Sequence, residues 1–178
     1  MRTMARWSHE IQTLNLELRT EGSKNYRMKN INPNAYGGPV AGGIAESKVR
    51  IYDLEERLCT FAVAVIDVSE KLPNNRPGNH LAGQLLRSGT SPYGNHGEAQ
   101  EPESADDFIH KMKICLKELR ETHRWSRLID RKGWLGRDPD LLFLLREAEE
   151  LVRIFKASVR TAERNRAAKR QSRATRNA

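Results

Sequence analysis

Residues 85–100 read LLRSGTSPYGNHGEAQ, and the fold turns on how this stretch is understood. Leu85, Leu86 and Arg87 open a helical pattern, but Gly89, Pro92, Gly94 and Gly97 then follow in close succession. Pro92 lacks a backbone N–H, and its ring opposes the carbonyl four residues back, so a helix is expected to kink or end near Pro92. Ser88, Gly89, Gly94 and Gly97 are small enough to let another backbone come close. Asn95 and Glu98 lie three apart and share a face on a helical turn. With Ser91 they form a polar motif, expected to bond freed backbone groups at the interruption and to fix register between helices. That reading is favoured over a catalytic one, because buried polar groups need partners.

Outward from this stretch the helical periodicity is firm. Ile51, Leu54, Leu58, Phe61, Val65 and Val68 recur at three- and four-residue spacing and predict a first helix over 48–71. Pro73 and Pro77 in KLPNNRPGN forbid its continuation. A second helix starts near Asn79 with Leu81, Leu85 and Leu86. The third follows Pro102, with Ser104 as N-cap and Asp106 and Asp107 favourable at its positive end. Phe108, Met112, Cys115, Leu119, Thr122, Ser126 and Ile129 step along it by fours and threes, a seam that packs at a shallow angle. RKGWLGRDPD closes that helix, and Asp138 followed by Pro139 opens the fourth. Leu141, Leu144, Leu145, Ala148, Leu151, Val152, Phe155 and Val159 form its buried face. Four such helices on short connections predict an all-α, antiparallel up-down-up-down four-helix bundle, its second helix broken near Pro92. No segment carries strand signals.

Composition sets the remaining bounds. The 178 residues are 38% apolar and 30% charged, a balance that suits one globular domain with extensions. No run of eighteen apolar residues is present, and MRTMARWSHEIQTLNLELRT lacks a continuous apolar core of the signal-peptide kind. Cys59 and Cys115 lie within apolar helical patterns and read as buried thiols of a reducing cytoplasm. Residues 1–47 are expected to be a poorly ordered arm: Trp7, Ile11, Leu14 and Leu18 fit a helical face, Leu14, Leu16 and Leu18 fit a strand equally well, and NINPNAYGGPVAGG is a linker. The bundle is placed at 48–160 and a basic tail at 161–178. From Arg160 onward seven Lys or Arg face a single Glu, so +6 of the net charge of +8 sits there. Contact with phosphates or acidic surfaces and simple solubilisation are about equally good readings of that tail.

Catalytic patterns are weak. His80, His96, His110 and His123 accompany Glu98, Asp106, Asp107 and Glu121, but no Glu-x-x-His pair of the di-metal bundle type occurs, so no metal or other cofactor is expected. Cys115 and Ser91 have no spacing support as nucleophiles, and no glycine-rich loop ends in a phosphate-binding lysine. A row of cations says more. Lys113, Lys117, Arg120, Arg124, Arg127 and Arg131 are spaced four, three, four, three, four, and line one flank of the third helix for about 27 Å. Such a row suits tracking a nucleic-acid backbone, RNA or DNA, without reading bases, and Lys169, Arg170 and Arg173 of the tail belong to the same candidate surface. The competing reading pairs these cations with Glu118, Glu121, Glu147, Glu149 and Glu150 in surface salt bridges.

Gln84, Leu85, Arg87, Ser88, Gly89, Ser91, Asn95, Glu98, Phe108 and Ile109 together resemble the signature of a bacterial four-helix bundle family. That family includes the proteins encoded by intervening sequences of large-subunit ribosomal RNA genes and the accessory variability determinant of diversity-generating retroelements. KICLKELRETHRW, residues 113–125, is similar to its third helix, and the resemblance covers about residues 48–160. Pro92 departs from it, standing where the family prefers a large aliphatic residue. The resemblance implies a homopentameric barrel with a positive surface and, for retroelement members, partnership with reverse transcriptase and template RNA. The expected function is thus a non-enzymatic, cytoplasmic, oligomeric bundle that binds nucleic acid, RNA first, with no membrane contact. The alternative is a protein-interaction adaptor without direct nucleic-acid binding.

Overall fold

A computed structural model describes residues 54–176 of the chain. Expectations for residues 1–53, the linker and the leading Trp7–Leu18 pattern included, fall outside the described residues. Among the described residues the chain is all-helical: α1 (Leu54–Glu70), α2 (Arg76–Gln100), α3 (Ala105–Lys132) and α4 (Pro139–Arg176).

Each helix begins and ends where local chemistry dictates. Asn75 caps α2 by accepting from the Gly78 amide at 2.9 Å, and Pro77 sits in the first turn, where its missing N–H has no cost. Ser104 caps α3 through the Asp107 amide at 3.1 Å, and Gly133, at φ 73°, closes it in the left-handed region. Asp138 accepts from the amides of Asp140 and Leu141, both at 3.0 Å, and starts α4. Lys71, at the end of α1, reaches both Asp138 at 2.8 Å and Asp140 at 2.6 Å.

The core runs through all four helices. Leu58, Phe61, Val65 and Val68 of α1 are buried with Leu85 of α2, Cys115, Leu119 and Ile129 of α3, and Leu141, Leu144, Leu151 and Phe155 of α4. Leu145 and Val152, expected in the same face of α4, are only half-buried. Cross-helix bonds tie the registers. Thr122 Oγ1 donates to Ser88 Oγ at 3.1 Å, the Cys115 thiol points at the Pro92 carbonyl at 3.5 Å, and Lys111 pairs with Glu98. Along α2 the numbers rise as those of their α3 partners fall. Arg57 pairs with Glu147, and α4 reaches the start of α3 through Arg166 and Asp106.

The expected break at Pro92 is absent, and α2 runs through it to Gln100. Leu81, Leu85, Ser88, Pro92, His96 and Ala99 are all buried, spaced four, three, four, four and three. This is a complete helical seam written partly in small and polar residues. Burial of that seam outweighs the roughly 3 kcal/mol that an interior proline costs a helix, because tertiary packing supplies most helical stability. The glycines divide. A Cβ on Gly89 would lie 2.5 Å from Val65 Cγ2, so α1 and α2 touch there, whereas Gly94 and Gly97 are exposed with nothing within 4 Å. The close approach expected at these small residues is met at Gly89 by the Val65 side chain of α1 and has no counterpart at Gly94 and Gly97. The residues of the basic tail continue α4 as helix to Arg176. Residues 160–176 contain no Gly or Pro to stop it, and Ala, Arg, Lys and Gln are good helix formers.

Candidate nucleic-acid interface

The cationic row lies on α3, whose opposite face, from Phe108 and Met112 to Ile129, is buried. That burial fixes the rotation of the helix, so residues at the row's spacing must face outward together. Lys113, Lys117, Arg120, Arg124, Arg127 and Arg131 are all exposed. They form one stripe, as expected of residues three and four apart.

Four of the five carboxylates that the sequence offered to this row have partners elsewhere. Glu147 binds Arg57 of α1, with Nη2 to Oε2 at 3.1 Å. Glu149 and Glu150 hold Arg153 of their own helix at 2.8 and 2.6 Å. Glu121 accepts from Arg87 of α2 at 3.0 Å and from Trp125 Nε1 at 3.3 Å. Glu118 meets the row, at 3.6 Å from Lys117. A sixth carboxylate that the sequence did not point to, Glu163 of α4, takes Lys113 at 2.6 Å, and that hydrogen bond holds its carboxyl below the usual range. Arg120, Arg124, Arg127 and Arg131 have no carboxylate partner among the described residues. Four guanidinium groups thus stand in water along about 17 Å of helix, at 1.5 Å per residue, with their forks open to an anion.

The tail cations are placed unequally. Lys169 and Arg170 are exposed, and Arg170 leans toward Asp106 at 3.4 Å, which also binds Arg166. The hydrogen bond from Arg166 holds the Asp106 carboxyl below its ordinary value. Arg173 lies within α4, but its side chain is outside the described residues. The junction between Asp106 and Arg166 joins residues sixty apart, which no local sequence pattern reports.

The polar motif of α2 sits away from the row. Asn95 Nδ2 donates to the Ser91 carbonyl at 3.0 Å and to the Ser91 hydroxyl at 3.1 Å, a bond within one turn. Glu98 is exposed and binds Lys111 of α3. His96 is buried, edge-on to Phe155 with ring centroids 6.0 Å apart, and Gln100 lies 3.0 Å from its Nε2. His80 stacks edge-on to Trp125, and His110 is exposed. Among the described residues no three His, Cys, Asp or Glu side chains gather as a metal site requires. Burial pushes the Cys115 thiol up to about 12, which leaves it protonated and unreactive at neutral pH. No helix of the described residues is long and apolar enough to cross a membrane.

The comparisons agree with this architecture. The sequence profile described as 23S rRNA-intervening sequence protein matches residues 52–157. A solved structure from Bacteroides thetaiotaomicron, a protein of the S23 ribosomal protein family, is similar at 29% identity and a TM-score of 0.54, covering 60% of this chain and 95% of that one. A comparison with curated proteins gives no match.

Proposed function

Because the chain belongs to the 23S rRNA-intervening sequence protein family, we propose that it is a non-enzymatic, self-associating RNA-binding bundle. Its helices are arranged up-down-up-down, each antiparallel to the next, as the opposed numbering of the cross-helix bonds supports. RNA is held by its phosphates along the α3 row. The observation that carries this reading is the set of four exposed arginines, Arg120, Arg124, Arg127 and Arg131, without a carboxylate among the described residues. An arginine fork matches phosphate geometry, and each cation placed on a phosphate releases a counterion. Backbone contacts of this kind give affinity with little sequence preference. The buried, protonated Cys115 is unsuited to nucleophilic chemistry, which favours binding. Self-association into a ring such as a homopentamer would repeat the row around an axis and intensify its field. A cytoplasmic setting, with a reverse transcriptase as a further partner, follows from the family likeness and is proposed with it.

Filter binding of single-stranded RNA at 50 and 200 mM salt tests the reading. The four arginines on phosphates of a single strand give a log–log slope near −3, so affinity falls by about 50-fold over that range. Affinity indifferent to salt, or absent at both concentrations, would remove the proposal.

One observation favours a protein partner instead. Val63 and Ile66 of α1 and Leu86 and Tyr93 of α2 are between 36% and 46% exposed, which an isolated bundle has no need of. An adaptor that uses these residues, without nucleic acid, would show salt-independent partner capture and no RNA retention.

A further inference from the structure

The α3 row does not stop at Lys113. Counting back at the same spacing, the next positions are His110, which is exposed, and Asp106. Asp106 interrupts the positive charge, but it is also the residue that holds Arg166 and Arg170 of α4. One carboxylate thereby draws two guanidinium groups onto the end of the row, and the local sum is +1. Beyond that junction α4 continues to Arg176, also exposed. The family profile ends at residue 157, so this arm of α4 lies outside the matched region.

We infer that the α3 row and the C-terminal extension of α4 form one continuous phosphate track, joined at Asp106, that takes a single RNA strand longer than either element could hold alone. The inference rests on the RNA-binding reading above and specifies its ligand. From Arg131 back to Asp106 is about 37 Å of helix, and from Arg170 to Arg176 about 9 Å more, at 1.5 Å per residue. A strand rising about 3.4 Å per nucleotide covers this combined length of about 46 Å in roughly 14 nucleotides. The row from Lys113 to Arg131 alone, about 27 Å, accommodates about 8. The junction is a product of tertiary structure: the row and the tail are separate in sequence and meet only because α4 passes the start of α3.

The test uses the full chain with oligouridylates of 6, 8, 10, 14 and 20 nucleotides. One variant carries Arg166→Gln, Arg170→Gln and Arg176→Gln. A control carries Arg76→Gln and Lys111→Gln, which removes charge on the α2 side of the bundle, away from the track. The unchanged chain and the control are expected to tighten with length to about 14 nucleotides and then level off. The track variant is expected to level off at about 8, with a salt slope for the 20-mer shallower by about 2. A break at 8 or fewer nucleotides for the unchanged chain, or identical behaviour of track variant and control, overturns the single track and leaves RNA binding standing. Failure of all three proteins to retain the 20-mer at low salt overturns both readings.

Discussion

Replacing Gly89 by Ala adds one methyl group where α1 and α2 touch. The new Cβ would lie 2.5 Å from Val65 Cγ2, 2.6 Å from Cγ1 and 3.1 Å from Cβ. Carbon atoms rest at about 3.5–4.0 Å, so a gap of about 1 Å must open. Rotation of Val65 offers no escape, since both γ carbons are in the way and a β-branched side chain in a helix has one strongly preferred rotamer. Overpacking of this kind costs about 1–3 kcal/mol, against a gain of about 1 kcal/mol from the better helix propensity of Ala. Gly94 lies in the same helix with nothing within 4 Å, so Gly94→Ala receives the gain without the cost. The propensity term cancels in the comparison, and the two variants should differ by the steric cost, about 1–3 kcal/mol. In urea unfolding, Gly94→Ala should raise the midpoint, with Gly89→Ala lying about 1 M below it. Adding Val65→Ala to Gly89→Ala should recover part of the loss, a coupling of about 0.5–3 kcal/mol. Equal shifts for the two glycine variants, or strict additivity with Val65→Ala, would refute the close approach.

Two further outcomes follow from single groups. For Asp138, burial pushes the carboxyl up, but hydrogen bonds from Lys71 and from the Leu141 and Asp140 amides prevail and hold it below its usual 3.8. Its stabilisation is therefore complete above that value and lost as pH falls through the lower folded value; Asp138→Ala should cost about 1 kcal/mol at pH 7 in urea unfolding, and progressively less below pH 4. Cys115, protonated and buried, should resist iodoacetamide at pH 8 in the folded protein and react after unfolding, as mass spectrometry would show. Labelling of Cys115 under native conditions would contradict its placement.

What the sequence displayed well was whatever is encoded locally. Asn75 aside, the caps at Ser104 and Asp138, the Pro139 start and the apolar seams of α1, α3 and α4 follow from a few adjacent residues, and among the described residues the structure keeps them, Leu145 and Val152 excepted. The row on α3 was legible for the same reason, since a single helical period places it. The course of α2 was not. Its buried face uses Ser88, Pro92, His96 and Ala99, and a reading tuned to large aliphatic residues takes such a face for an interruption. The spacing of four, seven and four from Leu81 through Leu85 and Pro92 to His96 was the available signal. The pairing of Lys113 with Glu163 and of Asp106 with Arg166 could not be read, because it depends on how two helices pass each other. Those contacts decide which cations stay available: Glu147, Glu149 and Glu150 looked like partners for the row, and the packing directs them to Arg57 and Arg153.

The most direct measurement is the salt dependence of RNA binding by the full chain beside a variant carrying Arg120→Gln, Arg124→Gln, Arg127→Gln and Arg131→Gln. Each residue is exposed, so the fold should hold and helical content by circular dichroism should be unchanged. If these four arginines lie on phosphates, the log–log slope for a 20-nucleotide strand becomes shallower by about 2.8, at about 0.7 per contact. A slope that the four substitutions leave unaltered would contradict the assignment of the α3 row as the RNA-binding surface.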